Sequence, residues 1–272
     1  GFYLSGGLDS SLIAALIHAT CPEERRHSFS IAFAQAEIDE RKYQRLMSQQ
    51  VGSIHHEVSF DWQDIAATMP AVVRFTETPL KESYDTCSLR LSGLVREAGL
   101  KVVLTGEGAD ELFAGYVGYR FDLQRGGAGP DPLDAEAMLE AELREQLWGD
   151  AEFLYERDFH RLRETKQALY AGPVAVRLGE FECLRPGLVD KARIRNRHPV
   201  HRRSYLDFKL RLADHLLSDH GDRMAYGNSV EARYPFLDVG VIEYVKTLPP
   251  GRMLKNATEK YLLRRLAARH LA

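Results

Sequence analysis

The sequence predicts an α/β protein, with a helix-covered parallel sheet over about residues 1–120 and a mostly helical half after it. Short β-rich runs alternate with stretches of helical periodicity in the first part, which is typical of parallel sheets. Two of the β-rich runs end directly in loops rich in Gly and acidic residues. After residue 134 apolar residues recur at helical spacing, as in Leu139, Leu143 and Leu147, without strand alternation. We therefore expect a nucleotide-binding core at 1–120 and a helical part at 121–272.

The individual elements follow from local patterns. A helix should begin near Ser10, another should contain Leu46 and Met47, and two more should precede residue 102. The run Gly126–Pro132 predicts a flexible or exposed connection. The predicted strands are Phe2–Leu4, Ser28–Phe33, Ile54–Phe60 and Val102–Leu104.

Composition narrows the classes of protein. Of 272 residues, 44% are hydrophobic and 28% are charged, which argues against a disordered chain. A net charge of -3 disfavours sequence-independent nucleic-acid binding. The cysteines Cys21, Cys87 and Cys183 are widely spaced, so we expect them to pack in a reduced, cytoplasmic protein. No apolar run is long enough to span a membrane. Because Phe2–Leu4 looks like the end of a strand, we expect a segment of a longer protein.

The first loop with chemical potential is Ser5-Gly6-Gly7-Leu8-Asp9-Ser10, between a predicted strand and a helix. Adjacent glycines expose backbone N–H groups, and the helix dipole adds positive potential, so the loop suits a phosphate. Asp9 would repel a phosphate unless a cation lay between them, which indicates Mg²⁺. The alternative is a simple turn with Asp9 or Ser10 as the helix cap.

The second loop runs from Thr105 to Tyr116 and again follows a strand. It contains three acids within five residues, Glu107, Asp110 and Glu111. Like charges this close are costly unless cations neutralise them. The alternative, acids that suit the dipole of a helix N-terminus, explains one of them well and three poorly.

The first loop resembles the Ser-Gly-Gly-x-Asp-Ser signature of ATP pyrophosphatases, which cleave ATP between the α- and β-phosphates. With the second loop, the block at residues 222–238 and the helix at Lys260–Arg264, the chain resembles the synthetase domain of glutamine-hydrolysing asparagine synthetases. The resemblance implies a sheet of the adenine-nucleotide α-hydrolase type and a single domain over 1–272.

The same resemblance implies roles for individual residues. Asp9 and Asp110 would share Mg²⁺, and Glu107 would support formation of an acyl-adenylate. Tyr116, also a catalytic candidate, would lie near the amino-acid side with Glu231 and Arg233. The residues implied to contact ATP are Leu4, Ser5, Gly6, Gly7, Asp9, Ser10, Ile31, Thr105 and Gly106.

The implied reaction is ATP-dependent amidation of aspartate through β-aspartyl-AMP, with AMP and pyrophosphate as products. Partners would be aspartate, ammonia from a glutaminase domain outside this chain, and a second copy in a homodimer. Family members also carry a lysine that faces the ATP phosphates downstream of the Lys260 helix, so we expect a domain truncated at both ends and inactive alone. The alternatives are a β-lactam synthetase or lasso-peptide cyclase type of enzyme, and a non-catalytic nucleotide-binding module.

One further segment is locally basic. Between Arg193 and Arg203 there are five arginines and two histidines. A phosphate or RNA contact is an alternative here, but the composition favours a solvated loop.

Overall fold

The computed structural model describes residues 1–124, 134–153, 155, 159–181 and 187–271. It contains one five-stranded sheet, and every neighbouring pair of strands is parallel. The spatial order is β3-β2-β1-β4-β5. The strands are β1 (Phe2–Tyr3), β2 (His27–Phe33), β3 (Ile54–Phe60), β4 (Val102–Leu104) and β5 (Glu231–Arg233).

The strand order creates a switch point between β1 and β4. From β1 the chain moves outward through β2 to β3, and then returns to place β4 on the other side of β1. Loops that follow β1 and β4 therefore leave the same edge of the sheet in opposite directions. Ligands of open α/β sheets bind in the crevice at such a point.

Helices make up most of the rest of the chain. A π-helix spans Asp207–Arg223, and 3₁₀ helices span Leu178–Phe181, Pro235–Leu237 and Pro250–Arg252. The α-helices of the described residues are α1 (Leu8–Thr20), α2 (Arg41–Gln50), α3 (Trp62–Thr76), α4 (Asp85–Glu97), α5 (Ala109–Phe113), α6 (Val117–Gln124), α7 (Ala135–Trp148), α8 (Phe159–Leu169), α9 (Gly172–Arg177), α10 (Lys191–Ile194), α11 (Pro199–Leu206), α12 (Met224–Tyr226), α13 (Val239–Lys246) and α14 (Tyr261–His270).

The core lies on both faces of the sheet. Leu12 and Ile13 of α1 pack with Leu263 and Ala267 of α14 in one buried cluster. On the other face, β2, β4 and β5 bury Phe29, Val103 and Ala232 together with Val95 of α4. A separate cluster around Trp148 joins α7, α10 and α11. The last fifty residues thus return to the sheet rather than forming a separate helical layer.

The predicted α/β class with a parallel sheet is confirmed, and strands β3 and β4 have the predicted bounds. Helix α1 begins at Leu8, slightly before the predicted Ser10. The C-terminal half is mostly helical as predicted, but the sequence pattern did not predict the strand at Glu231–Arg233, which pairs with Val102–Leu104 as β5. The connection predicted at Gly126–Pro132 and the packing predicted for Cys183 lie outside the described residues.

No helix in the part of the chain that the structure describes has both the length and the hydropathy needed to cross a bilayer. The protein surface carries many isolated apolar side chains, as monomeric proteins commonly do.

The basic segment at residues 193–203 is a solvated loop only in part, because residues 195–198 form an exposed turn and the rest is helical. It contains the end of α10 and most of α11. Arg202 pairs with Asp150 at 2.5 Å, and Arg203 pairs with Asp122 through two hydrogen bonds. Only 6% of Arg203 and 8% of Asp122 is exposed, so this charge pair is part of the core.

Asp122→Ala should lower the free energy of unfolding by about 3 kcal/mol, because it leaves the buried Arg203 guanidinium without its main partner. Denaturant unfolding measures the change. Glu243→Ala is the control, since its ion pair with Lys246 is exposed and its loss should change stability by no more than about 0.5 kcal/mol. Equal effects of the two substitutions would contradict a structural role for the Arg203 pair.

Candidate active site

The loop after β1 is tied together by its own serines. The Ser5 backbone N–H donates to Ser10 Oγ at 3.2 Å, and the two hydroxyl groups lie 3.0 Å apart. The Gly7 N–H donates to Ser5 Oγ at 3.2 Å. Gly7 is the N-cap of α1, and no side chain caps this helix. The alternative in which Asp9 or Ser10 is the cap is therefore wrong, and the positive end of α1 stays available to an anion.

Glycine is required at one position of this loop. Gly6 has φ +89°, and a Cβ there would lie 2.9 Å from Tyr43 Cβ. The close approach of α2 brings the buried Gln44 amide to the loop. Its Nε2 donates to the Ser5 carbonyl at 3.3 Å and to the Ile31 carbonyl at 3.0 Å. Gln44 thus fixes the loop after β1 to the end of β2.

The loop after β4 approaches the first loop closely. A Cβ at Gly106 would lie 3.1 Å from Asp9 Cβ and from the Ser10 nitrogen, which a side chain could not tolerate without a shift. Thr105 anchors the loop, because its N–H donates to the Arg233 carbonyl and its Oγ1 accepts from the Glu107 N–H at 3.2 Å. The two loops that the sequence singles out are therefore in contact at the switch point.

Asp9 and Asp110 converge on one ammonium group. Lys260 Nζ lies 2.5 Å from Asp9 Oδ2 and 2.7 Å from Asp110 Oδ1. Burial opposes protonation of the amine, but the two carboxylates raise the pKa of Lys260. Gly115 makes room for this contact, since a Cβ there would lie 2.0 Å from Asp110 Oδ1. Among the described residues, Lys260 is the only cation that forms an ion pair with both carboxylates.

The same pair suits a divalent ion. Asp9 Oδ1 is buried and has no hydrogen-bond partner, and burial raises the pKa of Asp9 despite Lys260. An orphaned carboxylate oxygen beside a second carboxylate is the kind of oxygen donor set that Mg²⁺ prefers. The residues present thus fit the Mg²⁺ site predicted for Asp9 and Asp110.

Glu107 lies among the other acids of the site. Its side chain is exposed to the crevice, but its carboxyl group is surrounded by protein. Burial, followed by the charges of Glu111, Asp110 and Asp9, raises the pKa of Glu107 to about 7. A carboxyl group with such a pKa can take up or release a proton near neutral pH.

The crevice is a cavity of about 350 Å³, within the range of ligand pockets. Apolar and aromatic side chains from β1, β2 and α4 form one wall, and both polar loops form the other. Its lining includes ten of the residues proposed from the sequence: Leu4, Ser5, Gly7, Asp9, Ser10, Ile31, Thr105, Gly106, Glu107 and Asp110.

Three residues proposed for the amino-acid side do not line this cavity. The Tyr116 hydroxyl donates to the buried Glu111 at 2.5 Å. Glu231 and Arg233 form an exposed ion pair with each other at 2.8 Å. Side chains alternate along β5, so Ala232 faces the cavity and Arg233 lines a different one. The Arg233 backbone carbonyl, by contrast, accepts a hydrogen bond from the Thr105 N–H of the second loop.

Sequence reasoning missed two residues of the site. The sequence analysis places Lys260 only in a characteristic helix, but its ammonium group contacts both aspartates. It is not the lysine that we expect downstream of this helix. The three clustered acids need a positive charge nearby, and this requirement could have directed attention to a lysine elsewhere in the chain. Gln44 gave no signal, because nothing in the pattern of α2 distinguishes it from an exposed helical glutamine.

The fold and the paired loops define an α/β nucleotide-binding domain of the adenine-nucleotide α-hydrolase type. The chain belongs to the asparagine synthase family, whose model matches residues 1–272. This confirms the resemblance on which the site residues were proposed.

Individual relatives agree with the family. The chain is 28% identical over 284 residues to asparagine synthetase [glutamine-hydrolyzing] 1 of Bacillus subtilis, covering 98% of the chain and 43% of that protein. It is 28% identical over 309 residues to amidase chyE of Penicillium rubens, covering 96% of the chain and 45% of that protein. Amidase chry2 of Gibberella zeae is 26% identical over 298 residues, covering 95% of the chain and 44% of that protein. The chain thus spans less than half the length of these relatives.

Glu107→Gln should stabilise the ligand-free protein at pH 8 and leave it unchanged at pH 4. The pKa of Glu107 is raised from 4.5 to about 7 in the fold. Between these values the native state holds a proton that the unfolded chain has released, so stability falls as pH rises through this window. Melting temperatures of parent and variant at intervals from pH 4 to 8 measure this, with the exposed Glu243→Gln as control. A difference that does not grow with pH would contradict the assigned pKa.

Proposed function

We propose that the chain is the ATP-using domain of an amide-forming enzyme that activates a carboxylate as an acyl-adenylate. Aspartate is the first candidate for the acid and ammonia for the amine, which would make the product asparagine. The single observation that carries this proposal is the meeting of the loops after β1 and β4 around Asp9, Asp110 and Lys260.

The first half-reaction needs a site for the leaving group. A carboxylate oxygen of the acid attacks the α-phosphorus of ATP, the bond to the β-phosphate breaks, and pyrophosphate leaves. The backbone of Gly6 and Gly7 and the uncapped end of α1 would hold the pyrophosphate. The Ser5 and Ser10 hydroxyl groups are already oriented by their contact with each other, so little reorganisation is needed.

Cations offset the charge that builds up on pyrophosphate. Lys260, just before α14, contacts Asp9 of the loop that would hold it. The residues that would bind Mg²⁺ are Asp9 and Asp110. When bound, Mg²⁺ would neutralise phosphate charge and orient the leaving group. The two carboxylates alone would repel the phosphates, so this arrangement requires a cation between them.

The second half-reaction needs a neutral amine. The amine nitrogen attacks the acyl carbon, AMP leaves with the bonding electrons, and the nitrogen loses a proton. Glu107 lines the cavity with a pKa of about 7, which suits a group that supports the adenylate and takes up that proton. Tyr116 acts at a distance in this scheme, because its hydroxyl group holds Glu111 rather than the substrate.

Turnover tests the proposal. Protein extended at both ends is incubated with Mg²⁺, ATP, ammonium and a panel of carboxylic acids that begins with aspartate, and pyrophosphate, AMP and amide are measured. Residues 1–272, expected to be inactive alone, are assayed beside it. We expect acid-dependent pyrophosphate release, lowered about 100-fold or more in Glu107→Gln. Glu243→Gln, remote from the cavity, should keep the parent rate.

Two outcomes of this assay would redirect the proposal. Pyrophosphate release with another acid, or an amide with an amine other than ammonia, would favour a β-lactam synthetase or cyclase type of enzyme. Two relatives are named amidases, which is a reason to include other acids and amines in the assay. The other outcome is that the protein binds ATP but releases no pyrophosphate with any acid, even when it is extended at both ends. That result would favour the non-catalytic nucleotide-binding module.

Cation dependence of ATP binding is a separate prediction. Asp110→Asn and Asp9→Asn should each weaken the Mg²⁺-dependent part of ATP affinity by at least about tenfold, because each removes a charged oxygen donor. Calorimetry with and without Mg²⁺ measures this part directly. Equal enhancement by Mg²⁺ in the parent and in both variants would remove these residues from the metal site.

A further inference from the structure

A second cluster of ligating side chains lies where the segment before α4 meets the π-helix. Glu82 Oε1 is 2.6 Å from His215 Nε2. His220 Nε2 is 3.2 Å from one ring nitrogen of His215 and 3.3 Å from the other. One ligand atom from each of these residues lies within 4.8 Å of the others. The family assignment and the proposed reaction use none of these three side chains.

The π-helix is what brings the two histidines together. His215 and His220 are five residues apart within Asp207–Arg223. In an α-helix, residues five apart point about 140° away from each other. The π turn is wider and its hydrogen bonds join residues five apart, so the two rings lie near the same side of the helix. Their rings contact edge to face, with centroids 4.3 Å apart.

Buried groups orient the second histidine. His220 Nδ1 lies 2.5 Å from Asp85 Oδ1, and the two side chains are only 6% and 3% exposed. The Tyr84 ring stacks on His220 with centroids 3.7 Å apart. A histidine that binds a metal usually directs its other ring nitrogen to a carboxylate, which fixes the ring and raises its basicity. Asp85 is close enough to become such a partner, although its Oδ1 and His220 Nδ1 form no hydrogen bond as they stand and the ring would have to rotate slightly. Nε2 of His220 is directed to the cluster.

The distances within the cluster bear on the ion that it could hold. His220 Nε2 lies 3.2–3.3 Å from the ring nitrogens of His215, close to the separation of adjacent ligands around a zinc-sized ion with bonds of about 2.0–2.2 Å. Glu82 Oε1, only 2.6 Å from His215 Nε2, would have to move away slightly to share the ion. Lys81 is the positively charged side chain near His215, and Glu82 and Asp85 are the acidic ones.

We propose that Glu82, His215 and His220 bind a divalent transition-metal ion of the zinc class. Two imidazoles and one carboxylate, with a further position open to water, form a known ligand set for Zn²⁺. The ion would join the segment before α4 to the π-helix. Tyr84 and His220 both line the cavity of the candidate active site, so the ion would fix one of its walls. This site differs in ligand type from Asp9 and Asp110, whose oxygen donors suit Mg²⁺.

Metal titration of tag-free protein, stripped with a chelator and without ATP, tests the site. We expect one equivalent of Co²⁺ to give the visible absorption of a low-coordinate ion, and one equivalent of Zn²⁺ to displace it. Zn²⁺ should raise the melting temperature by a few degrees. Because no substrate is present, failure of this test and failure of the proposed reaction are distinguishable.

Variants locate the site. His215→Ala and Glu82→Gln should each lower Co²⁺ affinity at least about tenfold, and Asp85→Asn should lower it about 10–100-fold. His18→Ala and Asp110→Asn are the controls, and both should bind Co²⁺ like the parent. Glu82 is 44% exposed, so its variant should fold even where changes at buried positions do not. No bound Co²⁺ in the parent, or parent affinity in both His215→Ala and Glu82→Gln, would overturn the proposal.

Discussion

The site depends on the contact of Lys260 with Asp9 and Asp110. Those two carboxylates and Glu107 lie at one edge of a parallel sheet, where three negative charges in a confined space are unfavourable. One ammonium group, held 2.5 and 2.7 Å from the two aspartates, makes their convergence tolerable. The absence of a side chain at Gly115 is a condition of that contact, because a Cβ would overlap both partners.

Helix packing positions Lys260, which lies near the C-terminal end of the chain, at the site. Lys260 immediately precedes α14, and α14 packs against α1, the helix that follows the loop after β1. The Lys260 N–H also donates to the Phe113 carbonyl, which ties the start of α14 to α5 in the acidic loop. Hydrophobic burial between α1 and α14 therefore holds an electrostatic contact 251 residues apart in sequence. A substitution in that core would alter the site without touching a polar residue of it.

Local patterns in the sequence were enough to predict the α/β class, four strands and the loops after β1 and β4. They failed where structure depends on distant partners. Glu231–Arg233 has charged residues at both ends and no apolar alternation, so its strand character comes from pairing with β4. The strand also directs the Glu231 and Arg233 side chains away from the cavity. Their position in the block at residues 222–238 gave no indication of this orientation. The π-helix is equally invisible, because its apolar residues also fit α-helical spacing.

If the chain binds nucleotide as proposed, the charge pattern makes a cation a requirement of that binding. The loop after β1 would attract phosphate through backbone N–H groups and the end of α1, but Asp9 lies within the same loop. Lys260 occupies the point between Asp9 and Asp110, so a metal ion bound there would have to displace it or share the carboxylates with it. Displacement would free the ammonium group to contact phosphate oxygens directly. Either arrangement leaves the carboxylates neutralised and adds positive charge beside the phosphates, which is what departure of an anionic leaving group needs.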